Sequence, residues 1–91
     1  MIKGTTASGF DFEIEESALD NWELLEALVD IDDGHIGGAV HALKMLLGEK
    51  QFKALKEHCR DKTTNKIAQK DMFDELSEIL SPKEKTDEKN S

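Results

Sequence analysis

A single cysteine, a single proline and five aromatic side chains leave this sequence without several of the devices that hold small proteins together. Cys59 alone cannot form an intramolecular disulfide, and its solitary thiol fits a reducing compartment. No apolar run approaches the roughly 20 residues that span a bilayer. The opening Met1-Ile2-Lys3-Gly4 does not lead into a signal-peptide core, so the expectation is a soluble protein inside a cell. Few aromatics and 37% hydrophobic residues in 91 positions predict one small core, just adequate for a marginally stable domain that self-association would strengthen. There is no internal repeat.

Charge is abundant and unevenly placed. Twenty acidic against twelve basic residues give a net charge of −8. Positions 1–34 hold ten of the acids and one lysine, whereas 35–66 hold seven basic residues and three acids. Such segregation makes a dipolar surface suited to docking. The overall sign opposes nucleic-acid backbones and anionic membranes, and neither is expected as a partner.

Apolar spacing predicts an α+β fold that is mostly helical. Ile2 to Thr6, the small turn Ala7-Ser8-Gly9 and the alternating Phe10-Asp11-Phe12-Glu13-Ile14 read as a β-hairpin with Phe10, Phe12 and Ile14 on one face. An isolated hairpin needs a helix against its apolar face. Asp20 followed by Glu23 resembles a capping box that starts such a helix, with Trp22, Leu25 and Val29 as one stripe and Leu24, Leu28 and Ile31 as another. It ends around Asp30 to Gly34, whose late aspartates oppose the helix dipole and are expected in the loop.

A second helix follows from Ile36, with Ala39, Val40, Leu43, Leu46 and Leu47 as its apolar side and Gly48 as its stop. A third runs from Glu49 to Arg60 with Phe52, Leu55 and Cys59 inward and Lys50, Lys53, Lys56 and Arg60 outward. Lys62 to Lys66 connects, Ile67 anchors into the core, and Asp71 to Leu80 forms the last helix. Pro82 ends it. The prediction is one domain over 1–80, a hairpin packed on about four short helices, and a disordered tail over 81–91.

Chemical motifs are sparse. His35, His41 and His58 lack zinc-site spacing, and Asp30, Asp32, Asp33 and Gly34 fail a calcium loop because the glycine falls early and position twelve is His41. Neighbouring helical residues point about 100° apart, so His58 cannot readily serve Cys59 as a base. The glycines of Gly34-His35-Ile36-Gly37-Gly38 follow no predicted strand and do not make a phosphate cradle. No metal, cofactor or catalytic set is expected. Binding has more to work with: Trp22, Leu25 and Val29 as an apolar surface, and Lys53, Lys56 and Arg60 as a cationic surface for a partner or a second copy.

The segments IKGTTASGFDFEIEE, DNWELLEALVDID, LKMLLGEKQFKALKEH and DMFDELSEIL, in that order over residues 2 to 80, resemble the small tail assembly chaperones of long-tailed (siphovirus) phages of Gram-positive bacteria. The resemblance implies a non-enzymatic, mainly helical oligomer acting in the host cytoplasm. It would bind the helix-rich tape measure protein, keep it soluble, help it meet the tail tube protein and be absent from the mature virion. It supplies no catalytic or ligand set. The alternative from charge is an acidic mimic of nucleic acid that inhibits a host or phage DNA-binding protein, with 1–34 standing in for phosphates.

Overall fold

A computed structural model describes residues 1–80; the expected disordered tail lies outside them. The alternating segment forms the hairpin as expected. Strand β1 (Ile2–Thr5) pairs antiparallel with β2 (Asp11–Ile14), Ile2 opposite Ile14 and Gly4 opposite Phe12. Gly9 turns the tip with φ 95°, and Phe10, Phe12 and Ile14 are all buried. Period-two alternation puts these three on one face, and that face meets the helices.

Helix α1 (Glu16–Leu19) was not expected; no apolar repeat announces its four residues, of which only Ala18 packs against the core. It also moves the next start. Helix α2 (Trp22–Asp32) is capped by Asn21, whose side chain accepts from the Glu23 backbone N–H at 2.9 Å, while Asp20 terminates α1. Adjacent Asp and Asn are chemically equal candidates for a cap, and α1 decides between them.

At its other end α2 keeps Asp30 and Asp32 in the helix instead of releasing them to the loop. Gly34, at φ 95°, donates to the Ile31 carbonyl and His35 donates to Asp30, the paired bonds of a Schellman ending.

Helix α3 (Gly37–Cys59) joins the two helices anticipated on either side of Gly48. Gly48 sits at φ 77° and ψ 170°, a conformation closed to other residues, so α3 is two arms, 37–47 and 49–59, meeting at a bend. Helix α4 (Gln69–Leu80) completes the domain. Between them Asp61 Oδ1 accepts from the N–H groups of Thr63 and Thr64, and Arg60 bridges to Ile67.

The core gathers a fully buried side chain from β2 (Ile14), from each arm of α3 (Leu43, Leu55) and from α4 (Ile79). Each such burial contributes about 1.5–3 kcal/mol. Leu24 and Ala27 bring α2 into the same cluster. Ile67, expected in the core, is only half-buried and stands at the surface of α3 and α4.

Helices α2 and α3 approach so closely at Gly38 that a Cβ there would collide with the Ala27 carbonyl oxygen, whereas one on Gly37 would meet nothing within 4 Å. Gly38→Ala should therefore cost about 1–3 kcal/mol in urea unfolding, the usual penalty of overpacking. Gly37→Ala should leave the midpoint within about 0.5 kcal/mol of the parent.

Candidate functional site

Trp22, Leu25 and Val29 recur at three and four residues along α2, so they share one face. Leu24 and Ala27 point the opposite way into the core. The stripe is therefore open: Trp22 is 70% exposed, Leu25 48% and Val29 49%. The Trp22 indole N–H donates to Glu26 Oε2 at 2.8 Å, which lays the ring along the helix. Glu23, Glu26 and Asp30 form the acidic flank that faces Lys44 and His41 of α3.

A second apolar surface was misplaced by sequence reasoning. Ile36 and Val40, assigned to the buried side of their helix, are 53% and 47% exposed. Ala39, Ala42, Leu43, Leu46 and Leu47 already fill the inward face of the 37–47 arm, leaving no core for the other two. They line a groove of about 380 Å³ with Leu43, Phe52, Ile67, Met72 and Phe73, between both arms of α3 and the start of α4. The excess of apolar positions around this arm was the available signal, since one helical face cannot hold them all.

The expected cationic trio does not act as a unit. Lys53 is exposed and free to meet solvent. Lys56 is half-buried at the groove edge with its ammonium 5.0 Å from the centre of the Phe52 ring, and Lys44 lies 5.7 Å from the same ring. Both are at cation–π distance. Arg60 is engaged locally at the surface instead: its guanidinium pairs with Glu57 at 2.8 Å and donates to the Asn65 carbonyl at 3.0 Å. That fork closes the 61–66 loop, and holds the Glu57 carboxyl below its ordinary range. Arg60 is thus committed to the fold.

Sequence reasoning also missed a polar clamp on the hairpin tip. Ser8 Oγ donates to Glu75 Oε2 at 2.6 Å, and the Ala7 N–H donates to Glu78 Oε1 at 2.6 Å. His58 Nε2 lies 3.0 Å from Ser8 Oγ and 3.2 Å from the Ser8 carbonyl oxygen. A carbonyl only accepts, so Nε2 carries the hydrogen and cannot take a proton from Ser8 in this arrangement. A serine, a histidine and a carboxylate are together here as a tether, not as an activated nucleophile. The imidazole also packs on Phe10, ring centres 5.5 Å apart. Glu75 is 5% exposed and its Oε1 has no partner among the described residues, so Ser8 supplies its one hydrogen bond.

Cys59 borders the clamp. Burial raises its thiol to about 11, with the nearby carboxylates of Glu75 and Asp71 adding to the effect. Among the described residues no group of His, Cys, Asp or Glu is arranged to hold a metal, and no helix is long and apolar enough to cross a membrane. No protein-family model, curated protein or solved structure matches the chain.

Ser8→Ala would leave the buried Glu75 carboxylate without a donor and should cost about 1–3 kcal/mol by chemical denaturation. Ser77→Ala, on the exposed side of α4, should be silent. The thiol has its own signature. Raising it from 9 to about 11 leaves roughly a hundredfold fewer thiolates at pH 7, partly offset by the greater nucleophilicity of each. Iodoacetamide should therefore modify folded protein at least about tenfold more slowly than urea-unfolded protein, the gap closing as the pH nears 11. Equal rates at pH 7 would refute a suppressed thiol.

Proposed function

We propose that this chain is a tail assembly chaperone of a long-tailed phage, one that binds the tape measure protein and keeps its apolar helices soluble until the tail tube is built around them. The carrying observation is five large apolar side chains, Trp22, Leu25, Val29, Ile36 and Val40, exposed on α2 and around the start of α3 in a chain with a net charge of −8. Side chains of this size grouped at a surface mark interaction sites. The order of sequence segments that resemble such chaperones adds to this reading.

An amphipathic client helix would set its apolar positions into the groove walled by Val40, Phe52 and Phe73, and the acidic surface around it would keep the complex in solution. Modest affinity per copy becomes firm retention when many copies line one extended client. On this reading the chaperone acts in the host cytoplasm and leaves before the virion is complete. The phosphate-mimic alternative has only the flank of Glu23, Glu26 and Asp30 to stand on, and Lys44 and His41 border those acids within the same fold.

Coexpression with the tape measure protein encoded in the same phage should bring that client into the soluble fraction and give a complex on size exclusion. Val40→Asp should lose it while keeping the parent's circular dichroism, because Val40 is half open to solvent already. Raising salt from about 0.1 M to 1 M should leave the complex intact, since apolar contact is not screened. An insoluble client beside free chaperone overturns the proposal.

A further inference from the structure

Helix α4 divides its surface. Met72 and Phe73 turn to the groove, while Asp71, Asp74, Glu75 and Glu78, spaced by three, one and three residues, share another face. That acidic face walls a cleft of about 550 Å³, closed by Ala7 and Ser8 of the hairpin tip and by His58 and Cys59 at the end of α3. Glu75, 5% exposed, is its most deeply buried wall. Its Oε2 accepts from Ser8, whereas its Oε1 has no partner among the described residues. Two neighbours are committed: Glu78 Oε1 accepts from the Ala7 N–H, and Asp74 pairs with Lys70 at 2.9 Å. Asp71 makes no ion pair among the described residues. Behind burial, the charges of Glu75 and Asp71 raise the Cys59 thiol, so both fields meet in the cleft. A buried carboxylate oxygen without a donor is costly, and carboxylates crowded on one helix face repel, so the complement of this cleft is a cation that donates hydrogen bonds.

We propose that this cleft is a binding site for an arginine side chain of a partner polypeptide, with Glu75 and Asp71 as its acceptors. The acids follow one another along α4 instead of converging on a point, and among the described residues no group is arranged to hold a metal ion. A guanidinium presents five N–H donors in a planar fork, which suits acceptors spread along an edge, and it sheds water more readily than an ammonium does on entering a part-buried place. Ala7 and Cys59 offer apolar contact to its methylene stem. The chain does not supply the group itself: Arg60 is its one arginine and is held by Glu57 and Asn65. The site lies on the side of α4 away from the groove and is independent of client capture there.

Amide NMR spectra of the full chain, titrated with N-acetyl-argininamide, test it. Resonances of Ala7, Ser8, Cys59 and Glu75 should shift together and saturate with a dissociation constant on the order of 1 mM, the scale for a ligand of that size. The citrulline analogue, similar in shape but uncharged, should leave them in place, and the lysine analogue should bind more weakly. Glu75→Gln keeps an acceptor for Ser8, and Asp71→Asn changes an exposed residue. Each should weaken arginine binding about tenfold while retaining parental circular dichroism. Asp32→Asn, the same change of charge on α2, should leave the affinity unaltered. Should Glu75→Gln unfold the domain, Asp71→Asn decides alone. Shifts that do not saturate, an equal response to the citrulline or lysine analogue, or parental affinity in Asp71→Asn overturn the proposal, and none of these outcomes touches the chaperone reading.

Discussion

The bend at Gly48 is the constraint on which the rest of the molecule depends. A straight helix over 37–59 would present one continuous stripe, whereas two arms at an angle let the first pack on α2 and the second carry Phe52 and Leu55 toward the hairpin and α4. The space inside the angle is the groove. Val40 and Leu43 come from the first arm, Ile36 from the cap that precedes it, and Phe52 and Lys56 from the second arm, so the groove has no existence apart from the bend. A glycine at φ 77° thereby positions side chains up to a dozen residues away on either side.

The other organising feature is how the fold distributes charge and apolar surface. Some cations are spent internally: Arg60 ties its loop to Glu57 and Asn65, and Lys70 pairs with Asp74 along α4. Lys44 and Lys56 are placed over an aromatic ring beside exposed aliphatic side chains. Acids on α2 flank the exposed indole instead of neutralising those lysines in ion pairs among the described residues. Apolar surface and charge of both signs thus remain available at adjoining places, which is the arrangement that makes docking selective.

Much of this was legible in the sequence, and the exceptions have physical causes. The hairpin was readable because strict alternation leaves only one face to bury, and the end of α2 because Gly34 suits the left-handed residue a helix ending needs. The open face of Trp22, Leu25 and Val29 was readable because α2 is apolar on two sides and can bury only one. The start of α2 was misread because Asp20 and Asn21 cap equally well. Ile36 and Val40 were misassigned because periodicity shows that a helix is apolar, not which neighbours arrive to cover it. Arg60 was counted as a free cation because its acceptor at Asn65 depends on a loop whose course no periodicity encodes. The clamp was invisible for the same reason, its partners lying 50 to 71 positions apart.

That clamp bears on the order in which the domain can form. The hairpin is synthesised first, but its tip is secured by Glu75 and Glu78 on the last helix. Contacts of such long sequence separation close late, after the entropy of the intervening loop has been overcome. Until α4 leaves the ribosome, β1 and β2 have an apolar face with only part of its cover, and the Phe10–Phe12–Ile14 surface is open to whatever else is nearby. The last helix to be made is thus the one that secures the first surface made.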